Sequence, residues 1–227
     1  MKIRNKKLGF LYSVFGFFRD SKFGIRNSKH GFALVELLIA VVLFGIITSF
    51  VLIAYAKVSE QLFMTTLAYE TALSFRQAQS FGVSAKQFGT GAGSFDYAYG
   101  VHFAAAADTR FVLFADTDKD VMYETGGDTD TGCVAGSECV SVYRIERGNR
   151  IEKFCGVRSL DGEEECTLLT AVPVWFLDVL FLRPNPDAII RTDQVDSSYK
   201  AARIYLVSPS GVRRSVEVWN TGQISIK

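Results

Sequence analysis

Apolar residues fill the chain from Phe32 to Ala56 almost without a break. They then recur at helical spacing, and finally alternate with polar ones. The first stretch has 25 residues, and Glu36 is its only charged member. As a helix it would be about 37 Å long, more than the roughly 30 Å of a bilayer's hydrocarbon core. Beyond it, Tyr55, Val58, Leu62, Tyr69 and Leu73 fall within roughly a 60° arc at about 100° per residue. Positions on the other side include Glu60, Gln61 and Glu70. The pattern predicts one helix from Phe32 to about Val83. Its outer part, residues 57–86, is expected to pack that apolar stripe against a globular body.

The run GTGAGS at 89–94 ends the helical pattern. No strand precedes it and no helix pattern follows it, so it reads as a flexible connector rather than a phosphate-binding loop. The period then shifts toward two. Candidate strands are Tyr97–Phe103, Arg110–Ala115, Val140–Arg147, Ile151–Val157, Val174–Leu182, Ala202–Val207, Val212–Trp219 and Gln223–Ile226. Short loops such as Ser208-Pro209-Ser210-Gly211 and Asn220-Thr221-Gly222 suggest hairpins in a mainly antiparallel sheet. The expected fold class is α+β: a long N-terminal helix followed by a mainly antiparallel β-sandwich over residues 87–227. The 171 residues after Ala56 suffice for one core.

Charge gives the chain a direction. The formal net charge of +1 is uneven: residues 1–31 hold eight Lys/Arg against one Asp, a net of +7. The remaining 17 basic and 23 acidic residues leave −6 after Gly31. A basic flank ahead of a spanning segment places the N-terminus in the cytoplasm and the rest outside. The leader has its own apolar patch, Leu8 to Phe18, too short to span. An acidic exported body argues against nucleic-acid binding, which depends on neutralising phosphates.

All four cysteines, Cys133, Cys139, Cys155 and Cys166, lie in the outer part. An even count outside the cytoplasm suggests disulfides, most simply 133 with 139 and 155 with 166. Buried free thiols are the alternative. Zinc is disfavoured, because CxxC pairs are absent and His102 is the only outer histidine.

The start of the chain admits three readings. A secretory signal ending at Ala54-Tyr55-Ala56 has an apolar core of about 7 to 15 residues, shorter than this one. A plain anchor explains the length but not Glu36, since an ionisable group inside a membrane segment costs on the order of 2 to 3 kcal/mol. The third reading explains both. The run Gly31-Phe32-Ala33-Leu34-Val35-Glu36, after a basic leader and before a long apolar helix, resembles the class III signal of type IV pilins and type II secretion pseudopilins. The resemblance implies cleavage by prepilin peptidase between Gly31 and Phe32, and methylation of the new N-terminus. The helix, residues 32–56, then stays in the membrane. It also implies assembly with other pilins on an inner-membrane platform, where Glu36 neutralises a neighbour's N-terminal ammonium. Many members of that family carry a proline in this helix. Here the four prolines are Pro173, Pro184, Pro186 and Pro209, and Gly45 is the helix's only weak point. The runs LSFRQAQSFGVS, AYGVHF, FVLFADTDKD and VEVWNTGQISI are similar to the GspH/FimT-like domain of minor pseudopilins, over residues 32 to about 120 and again at the end.

Other chemistry is thin. Asp116, Asp118, Asp120 and Glu124 match positions 1, 3, 5 and 9 of an EF-hand loop, so calcium is possible. Val121 stands where that loop needs glycine and Gly127 where it needs a bidentate glutamate. A solvated acidic turn is therefore the preferred reading, and no cofactor is required. Asp128 and Asp130 offer further oxygens if the loop folds back. Ser197-Ser198-Tyr199-Lys200 fits S-x-x-K, but its companion motifs are absent. A serine triad would have to use His102, which sits in an alternating strand and reads as structural. The expectation is a filament subunit without chemistry of its own. The alternative is a ligand- or DNA-binding subunit at a filament tip.

Overall fold

The computed structural model describes residues 34–84, 86–89, 95–124, 126, 128–129, 132–167, 173–194 and 198–227. Two units divide the chain at Phe50/Val51. The first contributes the apolar start of a 50-residue helix, α1 (Leu34–Val83). The second holds the rest of α1 and all the strands.

In the second unit α1 buries Met64, Leu67, Ala68, Thr71, Ala72, Ser74, Phe75 and Ala78, a recurrence of three and four residues that keeps them on one face. The stripe expected to be the core face is instead on the surface: Tyr55, Val58, Leu62, Tyr69 and Leu73 are all more than half exposed. The reason is size. Alanine, serine and threonine score as weakly apolar, yet their short side chains let the helix backbone approach the sheets, leaving Met64 and Phe75 to fill the interior. Gly82 marks the closest approach. A Cβ there would stand 2.2 Å from the Phe181 carbonyl oxygen, so any side chain would push the helix end off its strand.

The strands form two five-stranded antiparallel sheets. The first comprises β1 (Ala98–Ala104), β2 (Arg110–Asp116), β5 (Cys139–Arg144), β8 (Phe176–Phe181) and β9 (Ala188–Thr192), in the order β5-β2-β1-β8-β9. The second comprises β6 (Arg150–Arg158), β7 (Glu164–Cys166), β10 (Tyr199–Val207), β11 (Arg213–Trp219) and β12 (Ile224–Ile226), in the order β12-β11-β10-β6-β7. A two-residue pair, β3 (Asp128–Thr129) with β4 (Gly132–Cys133), stands apart.

One core joins α1 to both sheets. It takes Phe75 from the helix, Tyr99, Val101 and Phe103 from β1, and Ile204 and Leu206 from β10. Phe103 sits against Phe75 and Phe111, with ring centroids 5.8 and 5.4 Å away. Alternate residues of the first sheet face the other way, and Ala98, Val112, Phe114 and Leu180 form a second cluster with Tyr123 and Cys139. Val121 and Tyr123 thus cover the outer face of that sheet, which explains why β2 is buried at nearly every position. The packing is tight on this side too. A Cβ on Gly100 would meet Leu180 and the Phe114 ring at 2.8 Å.

Candidate functional site

Three buried carboxylates hold the covering segment in place. Asp116, at the end of β2, accepts the Lys119 amide at 2.7 Å and the Val121 amide at 3.1 Å. These two donors carry positive φ angles of 67° and 65°, a backbone form that costs non-glycine residues energy and needs outside support. Glu138 accepts the amides of Thr117 and Glu124 at 2.7 and 3.2 Å. Asp178, on β8, accepts the Tyr123 amide at 3.1 Å and bonds His102 Nδ1 at 2.6 Å. Burial pushes the Asp116 carboxyl up to about 6, and nearby Glu138 adds repulsion, against the pull of the two amides. Burial likewise raises Asp178, although His102 opposes it.

The turn gathers carboxylate oxygens of Asp116, Asp118 and Asp120 within 4.8 Å of one another. Each is already an acceptor: Asp118 takes the Asp120 amide at 3.2 Å, and Asp120 takes the Met122 amide at 2.8 Å. Glu124 does not join them, and its amide points to Glu138 instead. The structure therefore assembles three of the four residues expected for calcium. Glu138, which no local spacing in the sequence singles out, is not in that trio and instead holds the Thr117 and Glu124 amides. Asp128 pairs with Arg110 at 3.0 Å, away from that trio's role. Asp130 lies outside the described residues.

Cys133 is bonded to Cys139, with Cα atoms 5.3 Å apart, and Cys155 to Cys166, with Cα atoms 4.0 Å apart. The first closes the segment that covers the first sheet, and the second clips β7 onto β6, where the two cysteines are register partners. Closing each loop removes unfolded-state freedom equivalent to very roughly 2 to 3 kcal/mol in the chain-entropy picture. Alkylation of the purified chain should label no cysteine until a reductant is added; labelling of all four without reduction would overturn this.

On the open face of the second sheet, Glu217 is 1% exposed and bridges Arg203 and Lys227, both at 2.6 Å. Arg203 also pairs with Glu164. Burial alone would raise the Glu217 carboxyl, but Lys227 and Arg203 outweigh it and hold it below the ordinary value. A depressed carboxylate stabilises the fold above the unfolded pKa and loses that contribution as pH falls through the folded value. Acid titration of stability should therefore show a loss below about pH 4.5 that is absent in Glu217→Gln. An identical acid limb in both proteins would show that the pairing carries no linkage.

The first unit is of a different kind. Every large apolar side chain from Leu34 to Phe50 is exposed, and Glu36 sits in the first turn of α1. That end of the helix carries the positive pole of its dipole, which favours a carboxylate. Thr48 and Ser49 turn their hydroxyls back onto the Phe44 and Gly45 carbonyls at 2.8 Å, so these two hydroxyls are satisfied within the helix, as an apolar solvent requires. By length and composition α1 can cross a membrane. Gly31 and Phe32 lie outside the described residues.

Residues 26–52 match the family model for the prokaryotic N-terminal methylation motif. The chain carries a prepilin-type N-terminal motif. The match spans the glycine, the aromatic residue after it and Glu36. With the long apolar helix and the antiparallel sheets behind it, this supports a type IV pilin-like protein. No curated protein and no solved structure gives a match.

Of the serine triad weighed from sequence, the described residues include the histidine alone. His102 is 4% exposed, locked to Asp178 and packed against Tyr123 with ring centroids 4.7 Å apart. Ser197 lies outside the described residues. The histidine's role is to tie the covering segment to β1 and β8.

Proposed function

We propose that this chain is a minor pseudopilin or minor pilin: a structural subunit, without chemistry of its own, of a type II secretion system or a type IV pilus. The observation that carries the reading is the methylation motif at residues 26–52, with Glu36 as the only charge in the apolar run. Prepilin peptidase removes the basic leader on the cytoplasmic side and methylates Phe32. The apolar helix then anchors the subunit in the inner membrane with its β-rich body outside, and the assembly platform hands it to other pilins.

The minor role rests on the GspH/FimT-like runs in the body. The reading needs no cofactor. The acidic turn is held by its own carboxylate–amide bonds, and calcium at Asp116, Asp118 and Asp120 would add to the function rather than create it. The exposed stripe of Tyr55, Val58, Leu62, Tyr69 and Leu73 supports an assembling subunit, because a monomer gains nothing from leaving it open.

Deletion of the gene in its own host, followed by assays of protein secretion and of piliation, tests the reading. Loss of either, restored by the full chain, is the expected outcome. Normal secretion and normal pili in the deletion strain would reject it.

A further inference from the structure

β12 is the last strand of its sheet, and its pairing shows which of its groups face outward. Ser215 and Lys227 exchange both backbone bonds, at 2.9 and 2.8 Å, and the Trp219 amide meets the Gln223 carbonyl at 2.8 Å. In an antiparallel pair, bonded and non-bonded positions alternate. Val216 stands opposite Ile226 and Val218 opposite Ile224, so the amides and carbonyls of Ile224 and Ile226 point away from β11. Among the described residues no further strand pairs with them. Such an edge is a template for another extended backbone.

The outer half of α1 borders the same strand. Tyr69, Ala72, Leu73 and Arg76 line one cavity of about 360 Å³ with Ile224 and Ile226. Its walls are apolar apart from Arg76, and Tyr69 and Leu73 are each 62% exposed. The gap is preformed. The Gln79 side-chain amide donates to the Gly222 carbonyl at 3.2 Å and to the Pro186 carbonyl at 2.9 Å, tying α1 to the turn before β12. Arg76 is exposed and makes no ion pair among the described residues. Its helix neighbours three and four positions away, Ala72, Leu73, Gln79 and Ser80, include no carboxylate. Glu217 and Lys227, which flank β12, already pair with each other.

These features specify an occupant. Outward peptide groups suit a second extended backbone, and a groove between strand and helix takes every other side chain of it. An unpaired arginine suits a carboxylate, which its planar fork matches. A second copy of this chain fits less well. Two β12 edges would each bring an Arg76, and the opposite edge of the sheet is taken at Cys166, whose carbonyl accepts the Val174 amide at 3.4 Å. We propose that the groove between β12 and α1 binds an extended segment of another protein, added as a strand at the edge of the second sheet. That segment carries apolar side chains at alternate positions and a carboxylate for Arg76. The inference goes beyond the filament reading and uses nothing of the N-terminal signal, so its failure would leave that reading untouched.

A random nonapeptide library displayed on phage, panned on the full chain in detergent, tests it. Selected peptides should alternate apolar residues, lack proline and carry an aspartate or glutamate. Arg76→Glu should reverse that last preference and select lysine or arginine instead. For a synthetic peptide of the selected sequence, Arg76→Ala should weaken binding about fivefold, the upper range for an exposed ion pair. Methylating the peptide's backbone nitrogens in the one alternate register that faces β12 should weaken it about tenfold or more, and methylating the other register should not. Hydrogen exchange at the Ile224 and Ile226 amides should slow on binding. Leu160→Ala, 95% exposed at the turn between β6 and β7, should bind like the wild type. Failure to select any peptide, or a selection that Arg76→Glu leaves unchanged, would overturn the proposal. So would binding that survives methylation in both registers, or dimers of the chain that a selected peptide disperses, which would make the occupant a second copy.

Discussion

Glu36→Leu should be cleaved normally and then fail to assemble. The bond between Gly31 and Phe32 precedes the substituted position by five residues, so the peptidase should still reach it. Insertion should improve slightly, because an ionisable group leaves an apolar segment. Assembly is another matter. Within the chain Glu36 makes no ion pair among the described residues, and it lies among exposed apolar side chains. In a filament its partner would be the N-terminal ammonium of a neighbouring subunit. Removing the carboxylate leaves that ammonium buried alone, at a cost of about 3 to 5 kcal/mol, enough to lower incorporation by two orders of magnitude or more. Cross-linking to co-expressed pilins reports it, with processing followed by mass. A leucine variant that is incorporated normally would mean the glutamate does not pair in this way.

The second large effect distinguishes the two faces of α1. Phe75 is fully buried between the helix and the sheets, and Phe75→Ala should cost about 3 to 5 kcal/mol of folding stability. Leu73, two residues away and 62% exposed, should cost no more than about 0.5 kcal/mol when replaced by alanine. Denaturant unfolding of the two variants measures both. If Leu73→Ala were the more damaging, the stripe read from hydropathy would be the core face after all.

That comparison shows why part of the fold was legible in the sequence and part was not. All eight expected strands occur, with ends moved by up to three residues, because each alternates strongly enough to declare two faces. β7 and β9 carry no such signal, nor does the two-residue pair β3 and β4. Glu164-Glu165-Cys166 is acidic and short, and exists as a strand because Cys155 lies opposite Cys166. Ala188–Thr192 follows a proline-rich turn and gains its place by pairing with β8. Both depend on partners far along the chain, which local pattern does not carry. The helix face misled for a different reason. Hydropathy ranks Tyr69 and Leu73 above Ala68, Ala72 and Ala78, whereas close packing selects the small residues.

The candidate sites divide the same way. The N-terminal signal is contiguous, so composition and order alone expose it. The acidic turn was half legible: Asp116, Asp118 and Asp120 alternate, but Glu138 reaches the turn's Thr117 amide only through the pairing of β5 with β2. The groove beside β12 was not legible at all, since Leu73 and Ile224 line one cavity only in the folded body.

The account stands on the N-terminus, and the mature chain extracted from membranes is the most direct test. Intact mass with N-terminal sequencing should show a protein that has lost 31 of its 227 residues, leaving 196 and beginning with N-methylated Phe32. A chain retaining Met1, or one beginning after Ala56, would contradict the pilin-like reading.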